Sequence, residues 1–265
     1  MQLSSDWQRS LEAGEEDVRT WRLREGAIQT DSTAFSVTPG KSFVLRSPEP
    51  VVQETTDKGP YMDASAIRQE QHRQAIAAEL RASASTKEQM VDACTGAIVL
   101  SIEAIVAAVR KGNKILLCGN GGSAADAQHL ATEFVIRMDP SLKRPGIPAI
   151  ALTTDSSMLT AGSNDLGYES VFSRAVETLG QPDDVLIGIS TSGKSESVNR
   201  ALSTAKVHGM FTIGFLGKGG GRAKDLVDIA LIIPSDDTQR VQEGHITAGH
   251  IICGLVEHEM YASAG

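Results

Sequence analysis

Five short apolar runs alternate with helical segments after residue 112, and this alternation constrains the fold more than any other feature. The runs are continuous in valine, isoleucine and leucine, as strands buried on both faces require. Strands that alternate with helices need crossover connections, which produce a parallel sheet covered by helices on both faces. The sequence therefore predicts a three-layer, doubly wound α/β domain. The five predicted strands span residues 114–119, 148–154, 184–191, 211–217 and 229–235.

Helical patterns flank this region on both sides. From 65 to 111, apolar residues recur every three or four positions, which predicts N-terminal helices. Thr86 and Glu88 indicate the start of a second helix there, and Gly112 indicates its end. A long helix over 238–262 closes the chain. Residues 1–61 lack a lasting periodicity, and we expect an extension that is mobile or loosely docked, followed by one domain over 62–265.

Composition excludes several classes of protein. The formal charge is −8 and aromatic residues make up 4%, which argues against nucleic acid as a partner. Three scattered cysteines form no CxxC motif, which favours a reducing compartment and a cytoplasmic location. No uninterrupted apolar run of 18 residues and no apolar leader is present, so we expect neither a membrane span nor a signal peptide.

The loops after the predicted strands carry the candidate ligand contacts, because ligands bind beyond the carboxyl ends of parallel strands. Three of these loops, 119–123, 153–156 and 190–195, are small and polar. The loop from Ser190 to Ser195 contains four hydroxyl residues, a glycine and a lysine before a helix. A single hydroxyl residue is enough to cap a helix. The loop therefore predicts a phosphate-binding site, where N–H groups and the helix dipole attract an anion.

The first loop has two interpretations. Gly119, Gly121 and Ala124 fit a variant of the dinucleotide fingerprint, but no acidic residue ends the next strand about twenty residues on, and Asp155, about thirty residues on, is late for the ribose-binding acid. A nicotinamide cofactor stays open at this point. The alternative is that the glycines let the backbone of a sugar approach closely.

A candidate metal or acid–base pair follows this loop. His129 and Glu133 are four residues apart, on one face of a predicted helix. The closing helix adds further donors, several of which could reach the same site, and spacing alone does not decide which do. These donors are Gln242, Glu243, His245 and His250. Glu257 and His258, nearer the end, are predicted to be solvated.

Four segments in this order resemble the phosphoheptose isomerases, which contain a sugar-isomerase (SIS) domain. The segments are CGNGGSAADAQH, RPGIPAIALTTD, DDVLIGISTSGKS and QEGHITAGHIICGLVEH. The resemblance covers about residues 63–262. It implies conversion of sedoheptulose 7-phosphate into D-glycero-D-manno-heptose 7-phosphate, the first step toward activated heptose for lipopolysaccharide, capsule or other glycans. It also implies a homotetramer with active sites at subunit interfaces and one zinc ion in each subunit.

The resemblance also assigns roles to individual residues. It implies zinc ligands at His129, Glu133, Gln242 and His250. It implies substrate contacts at Asn120, Gly121, Gly122, Glu133, Thr154, Asp155, Ser190, Thr191, Ser192, Ser195 and Gln242. Glu133 matches the general base and His250 the general acid, which suits an isomerisation through an enediol.

Non-catalytic alternatives are an adaptor protein and a phosphosugar-sensing regulator with the same fold. In the adaptor relatives the positions of Glu133 and His250 no longer hold acid–base residues, whereas both residues are present here. No helix-turn-helix segment with a basic face accompanies the domain. The sequence therefore favours the enzyme.

Overall fold

A computed structural model describes residues 64–262 and four short strands nearer the N-terminus. The chain divides into two units, Met1–Met62 and Asp63–Gly265. In the first unit, Thr20–Trp21 pairs antiparallel with Phe43–Val44, and Ile28–Thr30 pairs antiparallel with Thr33–Phe35. The rest of the predicted N-terminal extension lies outside the described residues, and its loose docking stays a prediction.

The second unit contains a five-stranded parallel sheet, as predicted. Its strands are β1 (Ile115–Gly119), β2 (Ala149–Ala151), β3 (Val185–Ser190), β4 (Phe211–Leu216) and β5 (Ile229–Ile232). Their order in the sheet is β2-β1-β3-β4-β5. Every residue of β1 and β3 is buried, which is why these strands are continuously apolar. The chain changes direction across the sheet between β1 and β3, and the carboxyl ends of these two strands form the crevice where such folds bind ligands.

Helices cover both faces of the sheet. They are α1 (Ala64–Arg110), α2 (Gly122–Val135), α3 (Ser156–Leu166), α4 (Val171–Leu179), α5 (Glu196–Val207) and α6 (Thr238–Tyr261). One hydrophobic core joins α1, α2 and α6 to one face of the sheet. A second core joins α3, α4 and α5 to the other face. This arrangement confirms the predicted three-layer, doubly wound α/β fold.

The predicted start of a second helix near Thr86 is wrong, because α1 is a single helix of 47 residues. The Thr86 hydroxyl does not cap a helix start. It donates to the carbonyl oxygen of Ala82, 3.1 Å away and one turn earlier in the same helix. The predicted end is correct, since Gly112 follows the helix with a φ of +87° that favours glycine.

Helix α1 is long and apolar enough, by length and composition alone, to cross a membrane. One such helix is weak evidence, because core helices of soluble proteins meet the same criterion. Met90, Cys94 and Ile105 of this helix pack into the hydrophobic core. On its outer side α1 exposes other large apolar side chains, among them Leu80 and Val91.

The end of α6 differs from the prediction, because Glu257 is fully buried. Its Oε1 accepts a hydrogen bond from Arg144 Nε at 2.5 Å, and its Oε2 accepts from the amides of Met138 and Asp139. Arg144 also donates to the carbonyl oxygen of Glu133, in the last turn of α2. The buried ion pair therefore joins the end of α2 to the end of α6.

The neighbouring His258 is half-exposed, as predicted, and its Nε2 lies 3.3 Å from Asp139 Oδ2.

Candidate functional site

The site is built on two loops that lie side by side, because β1 and β3 are neighbours in the sheet. The first loop runs from β1 into α2 and contains Gly121, whose φ is +55°. The second loop runs from β3 into α5 and contains Gly193, whose φ is +62°. A Cβ atom on Gly193 would lie 1.9 Å from the carbonyl oxygen of Gly220. Glycine is therefore required there for both its backbone conformation and its lack of a side chain.

Asn120 connects the two loops. Its Nδ2 donates to Ser195 Oγ at 2.8 Å and to Ser197 Oγ at 3.0 Å. Its Oδ1 accepts a hydrogen bond from the Tyr168 hydroxyl at 2.5 Å. Asn120 and Ser195 were predicted from the sequence, whereas Ser197 and Tyr168 were not. Ser197 lies only two residues beyond the predicted loop, but nothing local to Tyr168 indicates its contact.

The predicted phosphate loop is positioned at the start of α5. Ser190 is buried at the end of β3, and Thr191 is partly exposed. Ser192 Oγ accepts from the amide of Lys194 at 3.3 Å. Ser195 occupies the N-cap of α5 without a side-chain cap bond. Since the first N–H groups of a helix have no partner within it, they can face an anion at this loop.

The third predicted loop stands at the end of β2, next to β1 in the sheet. The Asp155 carboxylate caps α3 by accepting from the amide of Met158 at 2.9 Å. The Thr154 hydroxyl donates to the carbonyl oxygen of Ala151 at 3.2 Å. Both side chains thus form hydrogen bonds within their own loop, at the carboxyl ends of the strands where such folds bind ligands.

His129 of α2 contacts both Glu133 of the same helix and His250 of α6. His129 Nε2 lies 2.7 Å from His250 Nε2, and the two rings are inclined by 70°. Glu133 Oε1 lies 3.5 Å from the same His129 nitrogen. The His129 side chain is 46% exposed and that of Glu133 is 19% exposed, so a small molecule can reach both. Three of the four predicted metal ligands are therefore neighbours.

Gln242 lies over the start of α2. A Cβ atom on Gly122 would lie 2.1 Å from Gln242 Nε2, so the glycine makes room for this amide. Farther along, a Cβ atom on Gly249 would lie 2.6 Å from the side chain of Leu130, which explains how α6 approaches α2 so closely.

Within residues 64–262, no group of three or more histidine, cysteine, aspartate or glutamate side chains is arranged to hold a metal ion.

The other donors of α6 have different partners. Glu243 pairs with Arg240 at 2.8 Å. His245 is fully buried, and its Nε2 lies 3.0 Å from the carbonyl oxygen of Leu216. Burial lowers the pKa of His245 to about 4, so its ring is neutral near pH 7. Of the two histidines left open by spacing, only His250 faces His129.

Asp126 is a buried carboxyl group that the sequence did not indicate. It lies on α2, one turn before His129, and is 8% exposed. Burial raises the pKa of Asp126 to about 6, and the neighbouring His129 opposes this shift. Its Oδ2 has no hydrogen-bond partner among the described residues.

Comparisons with known proteins decide the family. Residues 80–217 match the SIS domain family. The phosphoheptose isomerase of Roseiflexus sp. (strain RS-1) is 52% identical over 183 residues, which are 69% of this chain and 92% of the relative. The chain belongs to the phosphoheptose isomerase family. The resemblance inferred from the sequence motifs is thereby confirmed, and so is the SIS fold.

Two solved structures of phosphoheptose isomerases share this fold. The enzyme of Francisella tularensis superposes with a TM-score of 0.68 at 33% identity and covers 71% of this chain and 98% of its own. The enzyme of Neisseria gonorrhoeae gives a TM-score of 0.65 at 38% identity, with 69% and 97% coverage. As a phosphoheptose isomerase family member, the chain is an isomerase enzyme, and the adaptor alternative loses its support.

Proposed function

We propose that the chain converts D-sedoheptulose 7-phosphate into D-glycero-D-manno-heptose 7-phosphate through an enediol. Phosphoheptose isomerases at about 50% identity carry the assignment of the sugar phosphate. The observation that carries the assignment of the chemistry is the contact of His129 with His250 beside Glu133. Such a product leads toward activated heptose for lipopolysaccharide, capsule or other glycans.

The phosphate group is bound by the loop from Ser190 to Ser195, including Thr191 and Ser192. This loop offers hydroxyl donors and the N–H groups at the start of α5 to an anion. The sugar chain contacts Asn120, Gly121 and Gly122 on one side and Thr154 and Asp155 on the other. A phosphate held far from the reacting carbons supplies positioning energy, which lowers the entropic cost of aligning C1 and C2 with the acid–base groups.

Glu133 and His250 carry the proton transfers. Glu133 takes a proton from C1 of the ketose and returns it to C2, which moves the carbonyl group from C2 to C1. His250 serves the substrate oxygens: it protonates O2 as the enediol forms and takes the proton from O1 as the C1 aldehyde forms, which restores its starting state. Support comes from their placement on facing helices, with one imidazole, that of His129, in contact with both residues.

Zinc is part of the proposal, with His129, Glu133, Gln242 and His250 as its ligands. The types of ligand suit this metal, because imidazole Nε2 and carboxylate oxygen are common zinc ligands and the Nε2 atoms of His129 and His250 are only 2.7 Å apart. Since no three histidine, cysteine or carboxylate side chains in residues 64–262 are already arranged to hold an ion, binding would have to draw Glu133 and Gln242 toward the histidines. When bound, the ion polarises the substrate carbonyl. A carboxylate held tightly by zinc is a poor base. For Glu133 to act as the base, its carboxylate would therefore have to be free of tight binding to the ion while it takes the proton.

A homotetramer with interface active sites completes the proposal. Large apolar side chains are exposed along α1 and α6, including Ile76 (60%), Leu80 (67%), Val91 (60%) and Leu255 (51%). A second copy of the chain would cover such a surface.

Cys94, Cys118 and Cys253 are all buried and free, which supports a reducing, cytoplasmic location.

The test is to incubate the full chain with sedoheptulose 7-phosphate, with and without a chelator, and to follow formation of the aldose. We expect turnover that the chelator removes and that added Zn²⁺ restores. Metal analysis of the same sample should give one zinc per subunit. Absence of any aldose from the metal-loaded protein would refute the substrate assignment.

Two substitutions test the acid–base roles. We expect Glu133→Gln and His250→Gln each to lower kcat by at least about a hundredfold, since each removes a proton-transfer group. The oligomer should stay intact. Glu259→Gln and His258→Gln on the exposed end of α6 are matched controls that should retain activity. Near-normal turnover in either site variant would contradict the assignment.

A further inference from the structure

Tyr168 contacts the site from a separate segment of the chain. It begins the short 3-10 turn Tyr168–Ser170, between α3 and α4. Its ring packs edge-on against the buried ring of Phe172, with the centroids 6.3 Å apart. The residue is nevertheless 48% exposed. The ring is thus anchored on one side, while the hydroxyl reaches Asn120 in the first ligand loop.

The hydrogen bonds around Asn120 have a defined direction. The Tyr168 hydroxyl donates to Asn120 Oδ1, and Asn120 Nδ2 donates to Ser195 Oγ and Ser197 Oγ. Each serine oxygen therefore already accepts a hydrogen bond, and its own proton is available for another acceptor. The two serine oxygens are 3.2 Å apart, so one of them can donate to the other. At least one serine proton is left to point away from this network.

A phosphate monoester is a ligand that can accept the hydrogen bonds these serine hydroxyls are left to donate. Its terminal oxygens accept hydrogen bonds and, as a dianion, it donates none. Since Ser195 belongs to the predicted phosphate loop, its hydroxyl lies where such an acceptor would bind. Ser197 is 4% exposed, so a partner for its hydroxyl has to come from this network or from a ligand in the loop.

We propose that Tyr168 is a positioning residue for the phosphate group and that Ser197 belongs to the phosphate cradle. Tyr168 holds the Asn120 amide with its N–H groups toward the serines, and the serine hydroxyls then donate to phosphate. This inference deepens the proposed function, because it rests on phosphate binding at the Ser190–Ser195 loop.

The amide of Asn120 explains why the tyrosine hydroxyl matters. The two ends of an asparagine amide are nearly equal in shape, so hydrogen-bond partners decide which end faces which way. Without the Tyr168 hydroxyl, Oδ1 loses its donor and the amide is free to rotate. Oδ1 would then face the serines and accept their protons, which removes donors from the phosphate.

Tyr168→Phe tests the proposal, because it removes one oxygen and keeps the ring that packs on Phe172. We expect the Kd for inorganic phosphate and for sedoheptulose 7-phosphate, measured by calorimetry on the metal-loaded full chain, to rise about tenfold, the loss typical of a hydrogen bond that serves a charged ligand. KM should rise by the same factor while kcat stays within about twofold. Tyr261→Phe, at the core-packed end of α6, is the matched control and should change neither value.

Ser197→Ala provides a second test that does not touch the tyrosine. It should also raise the Kd for inorganic phosphate, and the double variant should lose less than the two single losses combined, because both act in one network. An unchanged phosphate Kd in a folded Tyr168→Phe protein would overturn the proposal. So would a loss of kcat with unchanged KM.

The inorganic phosphate measurement separates this inference from the proposed reaction. If the wild-type chain binds phosphate but forms no aldose, and Tyr168→Phe weakens phosphate binding, the substrate assignment fails and the inference stands. If the wild-type chain binds neither phosphate nor the phosphosugar, the inference fails.

Discussion

The buried Arg144–Glu257 pair is the interaction whose loss we expect to cost most among the described ion pairs. Both side chains are almost fully buried, at 1% and 0% exposure. Glu257→Gln keeps the size of the side chain but removes its charge. The Arg144 guanidinium then stays buried without a counter-ion. The NH₂ group of the new amide would also meet either Arg144 or the backbone amides that Glu257 Oε2 accepts from, which places donor against donor.

The magnitude follows from this geometry. Breaking a buried pair by removing one partner costs about 3–5 kcal/mol, because an uncompensated charge is left behind. The cost should lie in the upper half of this range, since three donors converge on the carboxylate: Arg144 Nε and the amides of Met138 and Asp139. Urea unfolding at one fixed protein concentration measures the change, because oligomer stability depends on concentration.

The exposed pair Arg174–Glu177 provides the matched control. Its atoms are 3.3 Å apart, and its side chains are 57% and 52% exposed. Glu177→Gln should therefore cost only about 0–1 kcal/mol. If Glu257→Gln costs no more than Glu177→Gln, the buried pair is not the tie between α2 and α6 that we infer. A large loss of stability in both variants would mean that glutamine substitution itself, and not the buried ion pair, causes it.

Two further predictions concern buried positions. Because the pKa of His245 in the folded chain, about 4, lies below its ordinary value of 6.5, the unfolded chain binds the proton first as pH falls. The stability that His245 contributes is complete above about pH 6.5 and decreases toward pH 4 by about 3 kcal/mol. His245→Gln can still donate to Leu216 and should remove this decrease, and an unchanged pH profile by urea unfolding would contradict the cause. Gly193→Ala should abolish binding of inorganic phosphate, since its Cβ would meet Gly220. Gly219→Ala also has a positive φ but open space, and it should cost only about 1 kcal/mol and keep phosphate binding.

The sheet could be predicted because its signal is local and redundant. Each buried strand is a continuous apolar run, and each run is followed by a helix, so alternation alone determines a parallel sheet. The division of α1 was wrong because the signal for a helix start is weak. Thr86 suits an N-cap, but in the helix interior its hydroxyl bonds the preceding turn instead.

The candidate site could be predicted only in part, because its residues are far apart in the sequence. Spacing showed that His129 and Glu133 share a face of one helix. It could not show which α6 residue meets them, since that depends on how α2 and α6 lie against each other. The contact of Tyr168 with Asn120 joins residues 48 positions apart and has no periodic signal at all.

Glu257 shows where the sequence did contain usable information. His250, Cys253 and Glu257 are spaced by three and four residues, so they share one face of α6. Since His250 was expected to face α2, that same face had to pack inward at Glu257 as well. A buried carboxylate requires a cation or several donors. The chain offers one in Arg144, which stands in the RPGIPAI segment without any role in the predicted site. Arg144 also donates a hydrogen bond to the carbonyl oxygen of Glu133, and it thereby fixes the end of the helix that carries the proposed base. We infer that the contacts of this buried ion pair, which stabilise the domain, also set the distance between the α2 and α6 residues of the site.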